Sequence, residues 1–161
     1  MNKSTFQFNY EVYQSIDDLN KEDAWLLQHA KDISKTAYAP YSKFFVGAAA
    51  RLINGEIVKG TNQENASYPV GICAERVLLS AAASMHHSIP IESMAISYRS
   101  NTVKSDHPIT PCGICHQSLQ EYEQRVHSPI RLILGGMDGK VIIIEKASML
   151  LPLSFTSVDL I

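Results

Sequence analysis

Three cysteines stand in two short motifs, Cys73-Ala74-Glu75-Arg76 and Pro111-Cys112-Gly113-Ile114-Cys115. Each motif falls where the surrounding pattern predicts a helix to begin. Cys112 and Cys115 are three positions apart, so both side chains leave one face of a first helical turn. Three thiolates can then meet around one zinc ion and leave its fourth tetrahedral position open. That is the pattern of a catalytic zinc; a structural site is closed by a fourth protein ligand. Glu75, two positions after Cys73, supplies the non-ligating carboxylate that water activation requires. Three thiolates around a dication leave one negative charge in excess, which weakens the acidifying effect of the metal. Two helix N-termini offset part of it, and Arg76 can donate hydrogen bonds to a sulfur.

Each element also has a plainer reading. C-x-x-C alone is often a redox pair, Glu75 a dipole-favoured first-turn residue, and Arg76 a surface cation. Their joint occurrence favours zinc. Cys112-Gly113-Ile114-Cys115-His116 also fits the C-x-x-C-H pattern of c-type haem attachment, which would make an electron-transfer protein. That reading leaves Cys73 and Glu75 without a role, as does a thioredoxin-like pair. His116 is not expected to share an ion with Cys115, because adjacent helical residues diverge by about 100°.

The elements that must carry these motifs follow from periodicity. Phe6, Phe8, Tyr10 and Val12 alternate, predicting a half-buried strand over 6–13. Asn20 is the expected cap of a helix over 21–35, with Trp25, Leu26, Ala30 and Ile33 on its inner face. Strands over 46–53 and 56–63 flank Asn54-Gly55, a hairpin signal. A helix from Cys73 runs through VLLSAAASM, apolar or small nearly all round. A strand over 93–99 follows. Thr110-Pro111 reads as N-cap and first position of a helix to Gln124, two strands over 131–136 and 141–147 bracket a Met-Asp-Gly turn, and a short helix-like SMLLPLSF precedes the tail. The sum is an α/β domain with a mixed sheet between helix layers.

The chain of 161 residues is 45% hydrophobic and 19% charged, which fits one domain over 1–161. An extension spans 1–20, a core 21–155 and a tail 156–161. A net charge of −2 and no run of basic residues argue against nucleic acid or an anionic membrane as partner. No signal pattern opens the chain and no apolar run reaches spanning length, so a cytoplasmic protein is expected. Three thiols there are no disulfide framework. His29, His86, His87, His107 and His127 have no metal spacing with the cysteines and read as surface or loop residues.

From Ala37 to about Phe155 the chain resembles the homotetrameric cytidine deaminases. The resemblance rests on AYAPYSKF, VGAA, NQENASYPVGICAER, PCGIC followed by HQ, and LLPLSF. A Cys₃ site with a catalytic Glu and P-C-x-x-C is a known signature of zinc deaminases. The resemblance implies a three-layer αβα sandwich around a five-stranded mixed sheet; the N-terminal extension lies largely outside the family pattern, and its alternating segment reads as an added edge strand or subunit contact. It implies one zinc per subunit and deamination of cytidine and deoxycytidine in pyrimidine salvage. It further implies that Asn62 and Glu64 bind the ribose, that Phe44 packs on the pyrimidine, and that the Ala74 N–H holds the base carbonyl. Tyr68 and Phe155 resemble residues lent to a neighbouring subunit. Two positions depart from the pattern: His116 stands where most members carry Arg, and Phe45 replaces a usual Pro. With the first, charge near the thiolates would vary with pH. With the second, the pocket would change shape, leaving a modified nucleoside as the alternative substrate.

Overall fold

The computed structural model describes residues 1–160. Six strands form one mixed sheet: β1 (Glu11–Tyr13), β2 (Phe44–Leu52), β3 (Ile57–Thr61), β4 (Ile91–Ser100), β5 (Arg131–Gly135) and β6 (Val141–Ile144). Their order across the sheet is β1-β6-β5-β4-β2-β3. Every pair is antiparallel except β4 with β5, whose crossover carries a helix. Three helices complete the layers: α1 (Lys21–Ile33), α2 (Ala74–Met85) and α3 (Gly113–Val126).

Alternation along the central strands sorts side chains between the two layers. Ala49, Ala95 and Ile133 turn to Leu26, Leu27 and Ala30 of α1. Their neighbours Ala48, Ala50, Met94, Ile96, Leu132 and Leu134 turn to Leu78 of α2 and Leu119 of α3. The αβα sandwich is thus present, its five inner strands extended by β1 at one edge.

Asn20 caps α1 as expected, its side chain accepting from the Asp23 N–H at 2.9 Å. Asn54-Gly55 turns the β2–β3 hairpin, with Gly55 alone at positive φ (86°) and its N–H donating to the Leu52 carbonyl at 2.9 Å. Four local expectations are corrected. The N-terminal strand covers only 11–13. Of the four alternating residues Phe8 alone packs on the core, while Phe6, Tyr10 and Val12 are exposed; within the strand the ladder with β6 turns Tyr13 inward instead of Val12. Trp25 lies outside, edge-on to His29 at 4.1 Å; the buried stripe of α1 is Asp23, Leu26, Leu27, Ala30 and Lys31. Helix α3 begins at Gly113 with Cys112 as its N-cap, so Thr110 and Pro111 precede the helix. Finally, SMLLPLSF forms only a short 3₁₀ turn over Ala147–Leu150.

Candidate active site

The thiols are placed by two helix starts. Gly60 of β3 lets α2 lie directly on the sheet: a Cβ there would overlap the Ala74 carbonyl and approach the Leu78 nitrogen to 2.6 Å. Cys73 is the N-cap of α2 and Cys112 the N-cap of α3, both with extended backbone and neither with a side-chain cap bond. Their carbonyls accept the first helical bonds, from Val77 and His116, while their thiols remain free to converge. Cys115 joins them one turn into α3. The Cys73 and Cys112 sulfurs are 3.7 Å apart, Cys112 and Cys115 3.6 Å, and all three lie within 4.8 Å of one another.

These separations test the fit to zinc. Sulfurs at about 2.3 Å from a tetrahedral ion stand about 3.8 Å apart, close to both contacts in the cluster. The proton balance agrees. The Cys73 thiol is drawn down to about 6, first by the hydrogen bond from Cys115 against its burial, then by Cys112 and the Arg76 charge. Cys115, which donates that bond and is buried, is pushed far up. Crowded in this way, the three sulfurs can all be thiolates only around a cation. The residues present fit zinc. Cys73 closing on the same two sulfurs also leaves the haem-attachment pattern without its isolated cysteine pair.

Glu75 projects from the first turn of α2 and is 5% exposed. Burial, reinforced by the Cys73 charge, raises its carboxyl to about 7, against a backbone hydrogen bond and one from Cys115. A carboxyl poised there can take up and release a proton near neutrality. Arg76 supplies fixed positive charge beside Cys73. His116 is half-buried, its Nε2 has no partner, and desolvation lowers its pKa.

Of the remaining candidates, Glu64 and Tyr68 line a cleft of about 430 Å³ together with Tyr41, Ser42, Asn65 and Gly71. Three loops are laced together at its base: Tyr38 donates to the Asn62 carbonyl at 3.1 Å, Glu64 to Tyr38 at 2.8 Å, and Gln63 and Ile72 exchange bonds of 2.9 and 3.0 Å. The Glu64 carboxylate accepts from the Tyr41 N–H at 2.8 Å and the Ser42 N–H at 3.3 Å. Desolvation works against its charge, but bonds from Ser42 and Tyr41 hold its pKa below the usual carboxylate range. Asn62 uses its side chain on β2, accepting from Val46 N–H at 2.7 Å and donating to the Phe44 carbonyl at 2.9 Å. Phe44 is half-buried and stacked on Tyr98 at 4.8 Å and 16°, while Phe45 faces the Arg99 guanidinium at 4.2 Å. Ala74, buried at the first position of α2, has an N–H with no intrahelical acceptor.

Tyr68 is exposed and sits edge-on to Tyr41 at 5.7 Å. Phe155 is exposed too, its carbonyl held by Gln117 at 2.9 Å; it does not line the cleft around Glu64. Tyr41, Ser42, Asn65 and Gly71 were not singled out as lining residues by sequence reasoning. Their signal was the Pro40 turn of AYAPYSKF and the N-Q-E-N segment, whose loops meet only in three dimensions.

Residues 20–128 match the model of the cytidine and deoxycytidylate deaminase zinc-binding region. Cytidine deaminase of Halalkalibacterium halodurans is 36% identical over 135 residues, 84% of this chain and 95% of that one. That of Sporosarcina psychrophila is 33% identical over 139 residues, 84% and 92% of the two chains. The crystal structure of cytidine deaminase from Burkholderia pseudomallei superposes with a TM-score of 0.71 at 34% identity, covering 85% of this chain and all of that one. A match that runs from the α1 cap to the end of α3, taking in all three thiols, makes this chain a member of the cytidine and deoxycytidylate deaminase zinc-binding family.

Proposed function

We propose that this protein is a zinc-dependent enzyme that hydrolyses the C4 amine of cytidine and deoxycytidine, giving uridine or deoxyuridine and ammonia, in pyrimidine salvage. The observation that carries the reading is the trio of sulfurs at tetrahedral spacing with a buried carboxyl two positions from one of them. Cys73, Cys112 and Cys115 hold one ion per subunit, and bound zinc supplies Lewis acidity toward water and toward developing oxygen charge. Glu75 carries the protons, taking one from water and delivering it to N3, then taking the second from the hydroxyl added at C4 and delivering it to the departing amine. The Ala74 N–H, aimed outward at the start of α2, donates to the base carbonyl.

Phe44 packs on the pyrimidine, and Asn62 and Glu64 meet the ribose hydroxyls. Their hydrogen bonds to the 41–46 backbone leave each with lone pairs, and Asn62 with one N–H, for that purpose. The substrate is a free nucleoside, because the chain has no basic run to follow a phosphate backbone. Tyr68 and Phe155, both exposed, reach a neighbouring active site in a homotetramer. Free thiols suit a reducing cytoplasm. Among the described residues no helix is long and apolar enough to cross a membrane.

The decisive measurement is ultraviolet loss of cytidine with zinc quantified on the same sample. Turnover with zinc near one ion per chain supports the reading; zinc-loaded protein inert toward cytidine and deoxycytidine overturns it. Undiminished turnover in excess oligonucleotide distinguishes a free-nucleoside enzyme from one acting on single strands.

A further inference from the structure

We propose that Tyr98 positions Phe44 for the substrate base, acting as the fixed backing of that ring. The inference rests on Phe44 as the residue that meets the pyrimidine. In the β2–β4 ladder Phe44 pairs with Ser100 and Val46 with Tyr98, so the two aromatic residues are diagonal neighbours. They share the sheet face of Val46, Ala48 and Ile96, which packs beneath α2 and α3, the helices that bear the thiols. Their rings stack at 4.8 Å with planes 16° apart, an arrangement that restricts rotation of Phe44 about its terminal torsion.

A backing ring positions another only if it cannot itself turn. Tyr98 is 1% exposed, and a phenol so buried requires a partner for its hydroxyl. The hydroxyl donates to the Lys104 carbonyl at 3.2 Å and lies 3.3 Å from Nδ1 of His107, whose ring meets Tyr98 edge-on at 5.8 Å. The loop that offers these partners is clamped. Ser105 accepts through Oγ from the Ser100 N–H at 2.9 Å and through its carbonyl from Met137 at 2.6 Å and Asp138 at 3.2 Å. Gly136 permits this approach, since a Cβ there would lie 2.8 Å from the Ser105 carbonyl carbon. The chain of contacts runs from a braced loop through Tyr98 to Phe44, whose half-exposed side is left for the base.

The experiment compares wild type, Tyr98→Leu, Tyr98→Phe, Phe44→Leu and the Phe44→Leu/Tyr98→Leu double variant, all zinc-loaded, with cytidine as substrate. Tyr98→Leu is expected to raise KM about tenfold, the order of a lost aromatic pair, with kcat and zinc content near wild type. Tyr98→Phe keeps the stack and raises KM less, by about threefold, on losing its hydroxyl partners. In the Phe44→Leu background Tyr98→Leu is expected to change KM no further, because it acts through the missing ring. Additive effects in the double variant, or a fall in kcat with KM unchanged, overturn the proposal. Should Tyr98→Leu fail to fold, Tyr98→Met carries the same comparison with bulk retained and the ring removed. Wild-type protein inert toward cytidine would defeat the functional reading instead.

Discussion

At the scale of single residues the molecule separates groups that hold charge from groups that hold shape. Glu75 is buried against the thiol cluster and its carboxyl sits near neutrality, whereas Asn62 spends its amide on the β2 backbone. Glu75→Gln keeps size and burial while removing the proton carrier. It is expected to retain zinc and to lose roughly 10²–10⁴-fold in kcat, read from cytidine absorbance; a rate near wild type would strip Glu75 of its role. Asn62→Ala removes two partly buried bonds, to Val46 and Phe44. It is expected to lower stability by about 1–3 kcal/mol in urea titration and to raise KM, since the freed backbone is that of Phe44. An unmoved midpoint would show those bonds to be idle. Folding brings Cys73 to Cys112, 39 positions away, but the placement of the thiols and Glu75 at two helix starts was readable from spacing, because it is local to each start. The second task of Asn62 was not: its partners are 16 and 18 positions away and belong to a strand that only folding sets beside it. His107, an ordinary loop residue in sequence, meets the buried Tyr98 hydroxyl for the same reason.

Among elements, α2 matters most, because one helix brings Cys73, the Ala74 N–H, Glu75 and Arg76. Its height above the sheet is set by Gly60. Gly60→Ala forces a methyl against the Ala74 carbonyl and the Leu78 nitrogen, and backbone cannot swing aside as a side chain can. The expected result is a loss of about 1–3 kcal/mol together with weaker zinc retention on dialysis; normal stability and full zinc would show that α2 tolerates the shift. The hairpin and the α1 cap were legible because Asn-Gly and Asn20 act on their own neighbours. The start of α3 was misplaced by two residues. Thr110 and Pro111 make a good local start, but the sulfurs of Cys112 and Cys115 converge with Cys73 when the helix begins at Gly113. Trp25 falls at the margin of the face that periodicity shares among Leu26, Ala30 and Ile33, and it stays outside because the ridge that meets β2 and β4 is made of Leu26, Leu27 and Ala30.

For the whole molecule, the cluster ties together the starts of two helices that pack side by side on one face of the sheet. Removing zinc leaves three crowded sulfurs to share protons, so a chelator is expected to lower the melting temperature by on the order of 10 °C, followed by circular dichroism, with recovery on adding zinc. An unchanged melt would mean that the ion is not part of the folded structure. The αβα arrangement was legible from alternation and from the order of the elements. The extent of β1 was not, because an alternating aromatic segment pairs only as far as β6 offers a partner, and here that is three residues.

Cys73 and Cys112 lie 39 positions apart, and the stretch between them contains all of α2 and β4. An ion gripping both is therefore a clasp across a long loop, and it withdraws configurational freedom from the disordered polypeptide as well as organising the finished one. The strand inside the clasp holds Tyr98 opposite β2. A metal held by these sulfurs would thus serve two ends at once, completing the thiol site and keeping the β2–β4 ladder in register.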